Sequence, residues 1–105
     1  MLADDDGAWV VGQSDGLLYR IESGRVVKRV QVGALAGAIA RTHPAVWATA
    51  MVGGSRFQLV RVDPDDGTVT GRVGLGSAQP QTIVPVGKQV WVITVRGDVV
   101  RVSQG

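Results

Sequence analysis

The sequence has no cysteine, one histidine, one tyrosine and one phenylalanine. Without cysteine there is no disulfide framework, no thiolate metal site and no thiol nucleophile. The lone histidine, His43, sits in the turn Thr42-His43-Pro44 with no second imidazole or thiolate to join it on a transition metal. No Ser-His-Asp set is recognisable around it. Charge is also scarce: 11 Lys and Arg against 9 Asp and Glu give a net charge of +2 over 105 residues. That is too weak a field to point to nucleic acid. No stretch reaches the roughly 18 apolar residues of a membrane span. The opening MLADDDGAW has neither a basic nor an apolar region and reads as no signal peptide. Nothing here calls for a cofactor.

What the chain does have is Gly, Val and repetition. Fifteen Gly and four Pro imply many turns. The abundance of Val biases the segments between them towards strand. Trp9, Trp47 and Trp91 stand in matching phrases, AWVV, VWAT and VWVI. A second phrase follows each: LLYRIE (17–22), QLVRVD (58–63) and DVVRVS (98–103), with Arg20, Arg61 and Arg101 in register. Gly33 and Gly76 close the first two units. The Trp spacings are 38 and 44 residues, and the extra six fall in turns. Length change confined to turns is expected, because strands must keep their pairing register. A unit of this size cannot bury a core alone, so neighbouring copies must stack.

Each unit reads as four short strands. Strand A is AGAIAR (36–41) or QTIVPV (81–86), B carries the Trp and C the Arg. Strand D is VVKRVQV (26–32) or VTGRVGL (69–75). Ser14-Asp15-Gly16, Gly53-Gly54-Ser55 and a two-residue Arg96-Gly97 turn join B to C. Glu22-Ser23-Gly24 and Asp63-Pro64-Asp65-Asp66-Gly67 join C to D. Strands A to C are apolar on both faces, as covered strands must be. Strand D alternates, with Val26, Val30 and Val32 expected on one face and Val27, Arg29 and Gln31 on the other. Four strands in about 40–45 residues with a polar outer strand match a β-propeller blade. The expected fold is therefore all-β: about two and a half antiparallel blades in an incomplete arc. Blade 1 supplies B to D over 7–33, blade 2 covers 34–76, and blade 3 supplies A to C over 77–105.

The phrase VWATAMVGGSRFQLVRVDPDDGTVTGRVGLG resembles the YVTN-type propeller repeat of the virginiamycin B lyase-like class, and is similar to NHL repeats. The likeness runs along essentially the whole chain and is best over 45–76. It is not of the WD type, because Val or Ala follows each Trp. The resemblance implies the sensor or extracytoplasmic part of a larger bacterial protein, while the leading reading of the architecture is a binding or scaffold module that shows its loops to a protein, peptide or glycan. The lyase activity of that class needs catalytic His and Glu on loops, and none maps onto this chain.

Ten expected strands do not close a ring, since propellers typically have four to eight blades. Two copies, each running BCD to ABC, duplicate B and C when joined. The sequence therefore favours the C-terminal part of a longer propeller, whose partners are its remaining blades, over copies of itself. A propeller enzyme with its site at the central channel is the alternative, and a self-associating structural repeat is another. The polar candidates read as architecture. Asp63, Asp65 and Asp66 lack the alternating ligands of a calcium loop, and Asp4-Asp5-Asp6 reads as the remnant of an A–B turn. Arg96-Gly97-Asp98 spells an adhesion tripeptide but sits in a hairpin turn. Gly71-x-x-Gly74-x-Gly76 opens no helix and so is no phosphate cradle. The three Arg are expected to pack between strands with their heads on a nearby Asp or Glu. The three Trp are expected to fill the seams between blades.

Overall fold

The computed structural model describes residues 2–42, 44–54 and 56–103. His43, Ser55 of the second B–C turn, and the last two residues of the third unit lie outside the described residues. Eleven strands are present among the described residues, and no helix. They form three antiparallel sheets in which each strand pairs with its neighbours in the chain. The first sheet holds β1 (Leu2–Ala3), β2 (Ala8–Gly12), β3 (Leu17–Glu22) and β4 (Arg25–Gln31). The second holds β5 (Leu35–Arg41), β6 (Val46–Val52), β7 (Arg56–Asp63) and β8 (Thr68–Gly76). The third holds β9 (Pro80–Val86), β10 (Gln89–Thr94) and β11 (Val99–Ser103).

Three sequence expectations need correction. First, the opening unit does have a strand before its Trp strand: Leu2 pairs with Trp9 and Ala3 with Ala8. Two residues flanked by three aspartates carry no periodicity to read. Second, Val26 does not share a face with Val30. Arg20 pairs with Lys28 while Ile21 pairs with Val26, which leaves Val27 as an extra residue. One extra residue flips all that lies beyond it to the other face, so Val26 joins Arg29. The same bulge recurs in the second sheet, where Arg61 pairs with Gly71 and Val62 with Val69. Third, β10 and β11 are joined by four residues, Val95–Asp98, rather than by Arg96-Gly97 alone. The Thr94 carbonyl accepts from Gly97 N, and Asp98 N donates to Thr94 Oγ1.

The sheets pack face to face through two apolar layers. Between the first and second sheets lie Trp9, Leu18, Val30 and Val32, against Val46, Ala48, Ala50, Val60 and Val62. Between the second and third lie Trp47, Ala45, Leu59 and Leu75, against Ile83, Val90 and Val92. Burying a side chain such as Leu18 or Leu59 contributes about 1.5–3 kcal/mol. Alternation along each strand explains both layers: Trp47 looks at the third sheet, while Val46 and Ala48 on either side of it look at the first. The expectation of strands apolar on both faces holds for the middle sheet. It leaves the outer sheets with one apolar face uncovered.

Gly33 and Gly76, aligned by sequence, do different work. A Cβ on Gly33 would lie 2.8 Å from Ala50 Cβ and 2.9 Å from the Met51 carbonyl, so this Gly lets the chain pass closely onto the second sheet. Gly76 has open space around it but a φ of +63°, which an L side chain adopts only with strain.

Candidate functional site

The most regular polar feature is a Trp–Arg pair in every sheet. Each Arg sits directly across from its Trp in the ladder: Trp9 with Arg20, Trp47 with Arg61, Trp91 with Arg101. Direct opposition on one face brings each guanidinium over the indole, at 5.7, 5.9 and 4.9 Å from the ring centroid. These distances lie within the range of cation–π attraction. Chemistry and register repeat, but surroundings do not.

Arg20 is buried and fully neutralised. Its Nη1 and Nη2 donate to Asp4 Oδ2 and Oδ1 at 2.8 and 3.0 Å, and its Nε donates to Glu22 Oε2 at 3.0 Å. The guanidinium holds the Asp4 carboxyl well below the usual carboxylate range, helped by the Asp6 N–H. Asp4 in turn raises Arg20 further above its ordinary value. The sequence foresaw an acidic partner but not Asp4, which lies sixteen residues upstream; its signal was the A–B turn position of the acidic run. Arg61 keeps the stack, yet its Nε is buried with no acceptor among the described residues. The nearby Asp63 is engaged instead as a turn cap, accepting from Asp65 N and Asp66 N, which pushes its carboxyl down. That local capping is what Asp63-Pro64-Asp65-Asp66 does. Arg101 is exposed and makes no ion pair among the described residues.

The Trp nitrogens differ too. Trp47 Nε1 donates to Thr42 Oγ1 at 3.1 Å inside the core, while Trp91 Nε1 donates to Gln89 Oε1 at 2.9 Å. Thr42 was not singled out from the sequence, where it reads only as a turn residue. Trp9 and Trp47 are buried between sheets, whereas Trp91, expected in a seam like the others, is half-buried on an uncovered face.

Away from the stacks, two clefts adjoin at one end of the second and third sheets. One, of about 360 Å³, is mainly apolar and is walled by Leu35, Met51, Phe57 and Pro80. The other, of about 410 Å³, is polar and is walled by Thr94, Arg96 and Asp98. Gln79, in the β8–β9 connection, lines both. Arg96 and Asp98 thus stand on an exposed loop facing a cleft. Among the described residues no group of three or more His, Cys, Asp or Glu is placed to hold a metal ion. Nor, among the described residues, is any helix long and apolar enough to cross a membrane.

No family model matches the chain, and no curated protein matches it. Among solved structures it is similar to the crystal structure of the computationally designed Ika4 protein, with 17% identity and a TM-score of 0.73. The match covers all of this chain and 64% of that one, so the chain spans less than two thirds of the neighbour's length. At that identity the likeness is one of fold alone: an all-β protein of stacked antiparallel sheets.

Proposed function

We propose that the chain is a set of β-propeller blades, of the YVTN or virginiamycin B lyase-like kind, that serves as a binding scaffold. The observation that carries the binding role is the pair of clefts that share Gln79. An apolar trough beside a rim bearing one cation and one anion suits a peptide segment of a partner protein, with an apolar side chain seated near Phe57 and Met51. A glycan is the other class of ligand such loops take. The blade reading is supported by the repeated Trp–Arg register and by the D-strand bulge that recurs after Arg20 and Arg61.

The test is a pair of arrays, one of peptides and one of glycans, probed with the labelled protein. Saturable peptide binding that Phe57→Ala and Arg96→Ala weaken at least tenfold supports the reading. Glycan binding lost in the same variants shifts the ligand class. No saturable binding on either array contradicts the binding role. A crystal structure whose sheets do not radiate about a common axis contradicts the blade reading. A second reading, a self-associating structural repeat, is favoured by the uncovered apolar faces of the outer sheets.

A further inference from the structure

The third sheet shows one apolar face to solvent. Val90 and Val92 of β10 are buried against the second sheet, so Trp91 and Ile93, which alternate with them, point the other way. Register places Val84 and Arg101 on either side of Trp91, and Val99 beside Ile93. Val84 is 37% exposed and Val99 46%. This surface holds the same elements, a Trp stacked under an Arg and flanked by aliphatic side chains, that Trp9 and Trp47 present to the next sheet inside the chain.

At the far end the first sheet shows the opposite kind of surface. The residues flanking each Trp receive the preceding sheet: Val46 and Ala48 in the second, Val90 and Val92 in the third. Their counterparts are Ala8 and Val10, which face away from the core, beside Tyr19 and Ile21. In the second sheet Arg72, across from Val60, reaches back to donate to the Val32 carbonyl at 2.8 Å. Arg29 holds the same position across from Tyr19 in the first sheet. One end of the chain therefore carries the giving half of a junction made twice within it. The other end carries the receiving half.

Resting on the blade reading, we propose that the Trp91 face of one copy packs on the Ala8–Val10 face of a second copy, repeating the internal junction. Such head-to-tail contact forms a ring when the rotation closes. Two copies bring six sheets, within the four to eight over which propellers close. The short strand β1 removes the sequence-level objection to pairing, because the first sheet has four strands and no strand is duplicated. Burying Val84, Val99 and the Trp91 ring removes an apolar patch of the kind that soluble monomers seldom leave open.

The test is mass by light scattering over a dilution series of the 105-residue chain. The expected result is a discrete species of twice the 11.0 kDa chain mass. Val84→Glu and Val10→Glu, each alone, should raise the dissociation constant at least a hundredfold with the β-type circular dichroism unchanged; Ala8→Glu replaces Val10→Glu if that variant fails to fold. Mixing the Val84 and Val10 variants should restore a dimer through the one junction whose two faces are intact. A folded monomer at all concentrations, an open-ended polymer, or a dimer indifferent to these substitutions overturns the proposal. The blade reading is judged separately, by whether the sheets of that monomer or dimer radiate about an axis.

Discussion

The first and third sheets carry the same Trp–Arg pair in opposite circumstances. In the first, Trp9 is buried beneath a neighbouring sheet and Arg20 is held by Asp4 and Glu22. In the third, Trp91 is half-buried and Arg101 is exposed without an ion pair among the described residues. The ladder register is the same, so the pairing of strands creates the stack, while the neighbouring sheet and a local carboxylate decide what the stack is worth. The middle pair separates the two influences, for Trp47 has its cover but Arg61 Nε has no acceptor among the described residues.

Substitutions can break that ranking. The largest effect is expected at Trp47→Ala, about 3–5 kcal/mol in urea unfolding, because the site is closed on both sides. Trp91→Ala in dilute protein should cost about 1 kcal/mol, since the ring already meets solvent. Equal costs would erase the distinction between covered and uncovered faces. Next comes Gly33→Ala, about 1–3 kcal/mol from crowding against Ala50 and Met51. Gly76→Ala carries only the strain of its positive φ, about 1 kcal/mol.

The arginines sharpen the comparison through the sign of the effect. Arg20→Met should destabilise by about 1.5–3 kcal/mol, since hydrogen bonds to charged partners are lost. Arg101→Met should stay within about 0.5 kcal/mol. Arg61→Met should be neutral or stabilising, because a buried donor without an acceptor disappears. A loss at Arg61 as large as at Arg20 would contradict this.

The ion pair at Arg20 also gives a dependence on acid. The Asp4 carboxyl titrates near 3.8 when unfolded and well below that when held by Arg20. Its contribution is therefore complete above the unfolded value and is lost as pH falls through the folded one. The gap in unfolding midpoint between the wild type and Asp4→Asn should be full at pH 6 and should shrink on acidification below about 4. A gap that does not change with pH would mean that the ion pair adds nothing.

Much of the strand order was legible because Trp and Arg recur where pairing demands them. The strands around Trp47 and Arg61 fall within a residue or two of their expected limits. The rest depended on contacts that no local pattern encodes. Leu2–Ala3 is strand only because Trp9 and Ala8 lie beside it. The bulge at Val27 comes from a mismatch between two strands, invisible in either alone. The bond from Trp47 to Thr42 and that from Arg20 to Asp4 join residues whose pairing no local pattern announces. The clefts around Gln79 arise from the joining of two sheets, and turn composition does not show which loops meet there.

The most direct measurement is fluorine NMR of the protein labelled with fluorotryptophan, followed over a dilution series, with each resonance assigned by a Trp→Phe variant. Trp9 and Trp47 should keep their shifts at every concentration. Trp91 alone should move from a solvent-exposed to a buried shift as concentration rises, and Val10→Glu on the opposite face should stop it moving. Three resonances that move together, or a Trp91 resonance indifferent to both concentration and the Val10 variant, would contradict the view that the chain ends in two halves of its own internal junction.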